Sequence, residues 1–233
     1  MHPCPHCHAW LDLQKTISER IVLNHNGTGN LKLKVGEDLY RYTSISKSWI
    51  NTLKPGINYK KLSIYEGNKI LVRKTGVGIT ASIDYDNSLT NQVVYILKLK
   101  PIFRDSLTLE FVLAVLNSRV MTYFLLKKFG ENEWKSHPYL TQTMLVELPF
   151  PKLATVDSSF IRQITTLIQD EVSNSTEQNI NQEADIVIER MIARCFGLDR
   201  HDYNAIFDSL HGAEPLIPIR RLLNCTVNDI FPL

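Results

Sequence analysis

The chain of 233 residues has no apolar run suited to crossing a membrane. Its longest apolar stretch, around Leu107–Leu126, is interrupted by Glu110, Asn117 and Arg119, and charged groups are costly in lipid, so no membrane partner is expected. The first ten residues, MHPCPHCHAW, lack a basic region followed by an apolar run, so no secretory leader is expected there. Cysteine is scarce, with four in the chain, and without a secretory pattern these read as thiols in a reducing, cytoplasmic compartment. Internal repeats and low-complexity tracts are absent. No glycine-rich loop follows a strongly hydrophobic strand; Gly27-Thr28-Gly29 comes after Asn26 instead. No Ser/His/Asp arrangement stands in a helix or elbow context. Glu133-Trp134-Lys135, with Pro101 and Asp105 upstream, has the bare Glu-x-Lys spacing of a metal-dependent nuclease. It falls in a loop after a helix rather than on a strand, and the pattern is common by chance. No catalytic residue is assigned, and the chain alone is not expected to be an enzyme.

What is present is an ordinary globular composition, 44% hydrophobic and 21% charged, long enough for one or two domains with a real core. The formal charge of +2 hides a split. Residues 1–152 carry 20 Lys and Arg against 12 Asp and Glu, whereas residues 153–233 carry 6 against 12. Such asymmetry suggests a basic part that meets a polyanion and an acidic part that does not. The alternative is an imbalance with no field on any one face.

Periodicity divides the chain. Residues 1–30 read as a short helix-like stretch between irregular pieces, ending in the loop His25–Asn30. Leu31–Val35 alternates as a strand. So does Lys69–Arg73, with Ile70 and Val72 on one face and Leu71 and Arg73 on the other, and so does Gln92–Lys100. Leu109, Val112, Leu113, Leu116, Val120, Tyr123 and Phe124 form one helical face, with Lys127 and Lys128 in the last turn and Gly130 as the stop. Leu145–Phe150 reads as a short strand. Beyond it come a helix through Phe160–Ile168 capped by Asp157 or Ser158, a polar linker at Ser173–Gln182, a helix from Ala184 to Cys195 stopped by Gly197, and a helix Arg200–Leu210 capped by Asp199.

Two constellations carry chemistry. Cys4-Pro5-His6-Cys7 places two thiolates on a tight turn, which is half of a tetrahedral zinc site. Cys195 and Cys225 are distant, so His2, His6, His8 or His25 would have to complete it; otherwise Cys4 and Cys7 are two free thiols. Between the two strands of Glu66–Lys100, Arg73 and Lys74 sit against Thr75, Gly76 and Gly78. Glycine lets backbone approach a ligand, and adjacent cations suit such a turn to phosphate; a solvated basic hairpin has the same composition.

The segment EGNKILVRKTGVGITASIDYDNSLTNQVVYILKLK resembles the TaqI-like C-terminal specificity domain, a target-recognition module of bacterial restriction-modification systems. The resemblance continues in LTLEFVLAVLNSRVMTYFLLKKFG (Leu107–Gly130) with its Leu-Asn-Ser step, in LPFPKL (Leu148–Leu153) and in the upstream VGEDLYRYTS (Val35–Ser44). Together with the periodicity above, it gives an α+β fold with a mixed or antiparallel sheet and a packed helix over residues 31–153, while residues 1–30 and the mainly helical region 154–233 are read from their own patterns. It further implies sequence-specific reading of duplex DNA for an adenine-specific methyltransferase or Type II restriction enzyme. The Asn/Asp-Pro-Pro-aromatic site that a methyltransferase needs for a flipped base is missing here, as is its cofactor loop. S-adenosylmethionine and magnesium are therefore expected only in a methyltransferase or nuclease domain or subunit outside this chain. Candidate DNA-binding residues are Arg41 and Tyr42, with Lys47 and Trp49 nearby, then Arg73, Lys74, Thr75 and Gly76 on the turn, and Lys135 and His137, with Tyr139, after the helix. The alternatives are a protein-interaction module of a defence complex and an enzyme with an unrecognised site.

Overall fold

The computed structural model describes residues 2–4, 7–11, 20–27, 30–54, 60–130, 139–174, 179–213 and 217–232. The strands are β1 (His2–Pro3), β2 (Trp10–Leu11), β3 (Val22–Leu23), β4 (Asn30–Lys34), β5 (Ser48–Asn51), β6 (Lys69–Arg73), β7 (Ala81–Asp84), β8 (Leu89–Thr90) and β9 (Val94–Leu97). The helices are α1 (Leu109–Asn117), α2 (Arg119–Phe129), α3 (Gln142–Val146), α4 (Ser158–Asn174), α5 (Gln182–Phe196), α6 (Arg200–Gly212), α7 (Ile217–Arg220) and α8 (Val227–Ile230). Beyond the β1–β2 ribbon the described residues form two sheets, a mixed one in the order β3-β5-β4-β8, with β4 and β8 parallel, and an antiparallel one in the order β7-β6-β9. The fold is α+β.

Strand β6 is central because both of its faces are apolar. Ile70 and Val72 enter the large core, whereas Leu71 packs with Leu39 and Val94 on the other side. The Gln92–Lys100 strand that periodicity proposes pairs with it as β9, and on its other side lies β7, which small and acidic residues conceal in the sequence. Asp84 at the end of β7 stands opposite Lys69 and is buried because Lys69 and Lys34 neutralise it.

The long helix expected over Leu109–Phe129 is two helices bent by 54°. Ser118 takes extended dihedrals (φ −68°, ψ 156°), and its hydroxyl donates to Val115 O at 2.8 Å while accepting from Met121 N at 3.3 Å. Asn117 fixes the break in space. Its amide nitrogen donates to Ala81 O at 2.9 Å and its oxygen accepts from Ala81 N at 3.1 Å, so a side chain extends the edge of β7 as another peptide group would. The Leu-Asn-Ser step is thus a structural joint. The strand expected at Leu145–Phe150 is also replaced: α3 forms there, capped by Thr141, whose hydroxyl accepts from Met144 N at 3.1 Å. The later helices follow their local signals. Asp157 accepts from Ser159 N at the start of α4, Gly197 (φ +68°) ends α5, and Asp199 caps α6.

One apolar cluster runs from Tyr42 and the β6 sheet through α1 and α2 into α4, α5, α6 and Ile230. The change of texture near Leu153 therefore does not divide the core. At its centre lies Arg119, fully buried. Its guanidinium reaches Asp185 Oδ2 (3.0 Å), Glu189 Oε2 (3.1 Å), Asn224 Oδ1 (2.9 Å) and Leu222 O (2.8 Å), and its backbone N–H donates to Glu189 Oε1 at 3.0 Å. Tyr203 O–H donates to the same Glu189 oxygen at 2.8 Å.

Removing one member of such a cluster leaves uncompensated buried charge. Arg119→Met is expected to cost about 3–5 kcal/mol in urea unfolding followed by circular dichroism, and a loss below about 1 kcal/mol would remove the cluster from the stability account. A chain stopped at Leu153 is expected to lose its cooperative thermal transition; a sharp melt of that fragment would show that the first part folds alone.

Candidate nucleic-acid interface

The turn between β6 and β7 is held at both ends. Arg73 N donates to Thr80 O at 3.0 Å and Lys74 N to Val93 O at 2.9 Å. Gly76 (φ +110°) and Gly78 (φ +75°) occupy dihedrals that L side chains rarely adopt. The chain just after residues 131–138 is pinned to this turn, with Leu140 N donating to Lys74 O at 2.6 Å and Thr75 bridging to Tyr139. Arg73, Lys74, Thr75 and Gly76 therefore share one half-buried patch with the exposed Tyr139. The Lys74 ammonium lies 4.3 Å from the centre of the Tyr95 ring on β9, and Arg73 Nε lies 3.4 Å from Thr75 Oγ1. Lys135 and His137 lie outside the described residues.

Arg41 and Tyr42 do not join this patch. Arg41 donates through Nη1 and Nη2 to Asp185 (3.2 and 2.9 Å) and through Nε and Nη2 to Asn117 O (3.2 and 2.8 Å), so its donors are committed to the interior. Burial acts first to lower the Arg41 pKa, but Asp185 outweighs it and the net shift is upward. Tyr42 is fully buried with φ +73°; its backbone bonds to Ala81 O and Ile83 N, and its ring belongs to the core. Arg41 is drawn inward by Asp185, 144 residues further along, a partner that no local sequence signal indicates. Lys47 is exposed and Trp49 half-buried on β5.

Two more cations are internal. Lys34 and Lys69 hold Asp84 at 2.7 and 2.5 Å, Lys69 also donates to Tyr65 O at 2.6 Å, and Ser88 supplies two further bonds to the carboxylate. Burial alone raises Asp84, but the two ammonium groups outweigh it and bring its pKa down to about 2. Lys69 shifts downward because burial outweighs its single carboxylate partner. The same contest brings Asp185 to about 2 between Arg41 and Arg119, whereas Glu189, fully buried, is raised.

Cys4 and Cys7 lie between the paired strands β1 and β2, with Cys4 N donating to Ala9 O and His8 N to Cys4 O, whereas Pro5 and His6 lie outside the described residues. Among the described residues no group of three or more His, Cys, Asp or Glu side chains is placed to hold a metal. A zinc ion would draw two thiolates from this turn and further ligands from outside the described residues, such as His6.

The family model for the TaqI-like C-terminal specificity domain matches residues 31–150, just over half of the chain. The chain belongs to that family. No curated protein matches it. The matched segment contains the mixed sheet apart from β3, the β6 sheet, the jointed helices and the Arg73–Gly76 turn, and it stops just before the C-terminal helices.

The Asp84 shift has a definite sign. Its folded pKa lies below the unfolded value of about 3.9, so its contribution is complete above about pH 4 and is lost as pH falls toward about 2. That contribution is on the order of 2 kcal/mol. Asp84→Asn should lower stability at neutral pH and flatten, without abolishing, the decline between about pH 4 and 2, since Asp185 titrates in the same window. Urea midpoints measured across this range check it; an unchanged slope would mean that Asp84 is not depressed.

Proposed function

We propose that this chain reads a specific duplex DNA sequence as the target-recognition part of a restriction-modification adenine-specific methyltransferase system. Methyl transfer, with S-adenosylmethionine, belongs to a partner chain or domain. The observation that carries this reading is membership of the specificity-domain family over residues 31–150. It is supported by the turn within that segment, where two adjacent cations, a left-handed glycine and an exposed tyrosine meet.

The roles follow from side-chain chemistry. Arg73 has a planar fork that can pair bidentately with guanine, and Lys74 is a point charge suited to a phosphate. Gly76, without a side chain, lets backbone N–H groups approach the DNA strand. Tyr139, half exposed beside Thr75, offers a face or a hydroxyl to a base or sugar.

Selection from randomised duplexes tests the assignment. Arg73→Ala is expected to cost about 1–3 kcal/mol and to flatten preference at one base position. Lys74→Ala is expected to weaken all sequences alike and to reduce the slope of log affinity against log salt by about one. Wild-type affinity and preference in both variants would remove the turn from the interface.

A further inference from the structure

The helical region carries a cation that no sequence signal singles out. Arg221 opens the 3-10 turn Arg221–Leu223 that follows α7. It is exposed, and among the described residues no carboxylate pairs with it. Its position is nevertheless fixed. Ile219 and Leu222, on either side, are buried, and Leu222 O accepts the Nε proton of Arg119 at 2.8 Å. This segment stands against the specificity-domain turn: a Cβ added at Gly78 would lie 3.9 Å from Ile219 Cδ1.

Between the two lies a cleft of about 180 Å³, with Arg73, Gly78 and Thr80 on one wall and Asn179, Pro218 and Arg221 on the other. Arg41 also lines it but is committed to Asp185, and Glu37 stands exposed at the rim. Two guanidinium groups with no carboxylate partner among the described residues, Arg73 and Arg221, thus line a narrow space together with one exposed carboxylate. A second hollow of about 260 Å³ shares Arg41, Asn179 and Arg221 and adds Tyr42, Asn224 and Asp185. The Tyr42 hydroxyl is buried with no hydrogen-bond partner among the described residues, so this hollow suits a polar occupant rather than an apolar one.

We propose that Arg221 is a phosphodiester-binding residue, and that the helical region thereby completes the DNA site by gripping the backbone across the cleft from Arg73. The inference rests on the DNA-reading function proposed above. It implies that the recognition surface extends past the family-matched segment. Arg220 supplies the internal control, since it is adjacent and exposed but does not line the cleft.

The test uses the full chain as wild type, R221A, R221K, R220A and R73A, with a randomised pool of short duplexes at rising NaCl. R221A should lose about fivefold to tenfold in affinity for every sequence, with the salt slope reduced by about one and preference unchanged. R221K should keep most of the wild-type slope, and R220A should behave as wild type. If wild type binds duplex and R221A matches it, or R220A falls as far as R221A, the Arg221 contact is overturned while DNA reading stands. If wild type binds no duplex, phosphorus NMR with inorganic pyrophosphate decides. Binding lost in both R221A and R73A would keep the anion cleft and overturn DNA reading, and no binding would overturn both.

Discussion

Everything on the proposed binding face depends on where Arg119 puts its charge. A guanidinium withdrawn from water is strongly unfavourable unless its donors find acceptors, and this one finds two carboxylates on α5 and a backbone and a side-chain carbonyl on the turn after α7. The requirement ties α2 to α5 and to the chain after α7 in one step. It also holds Asp185 so that Arg41 can be drawn inward, which secures the segment leading into Tyr42 and, through backbone bonds, the edge of β7. The turn that carries Arg73 and Lys74 leads directly into that strand.

The division of charge along the sequence takes on a different meaning once these contacts are known. Arg41 and Arg119 come from the basic part, and Asp185 and Glu189 from the acidic part, so some of the imbalance is the two halves of one internal ion cluster. Lys34 and Lys69 are likewise occupied by Asp84. The surplus available to a polyanion is smaller than the count suggests and is more local, centred on residues such as Lys74 and Arg221 that keep their charge at the surface.

Elements whose causes are local could be read from the sequence. The alternation of Ile70 and Val72 against Leu71 places β6 and its two faces correctly, and Asp157, Asp199 and Gly197 mark helix ends through bonds to residues a few positions away. Features with distant causes could not. The burial of Asp84 requires Lys34, 50 residues earlier, and the bend at Ser118 requires the β7 edge to which Asn117 bonds. The candidate site divides in the same way. The Arg73–Gly76 turn announces itself by its composition, Arg41 looks the same as Arg73 until Asp185 is in place, and nothing near Arg221 in sequence marks it out.

The bond between the Asn117 side chain and the Ala81 backbone has a consequence for comparing relatives. Its partner is a peptide group, which every residue type except proline supplies, so substitution at position 81 by any of these places no pressure on position 117. The same holds for Arg41 on Asn117 O and Arg119 on Leu222 O. Correlated substitution, the usual trace of spatial neighbours, should be silent at the joint that organises this molecule, and the joint should surface in an alignment only as isolated fixed columns.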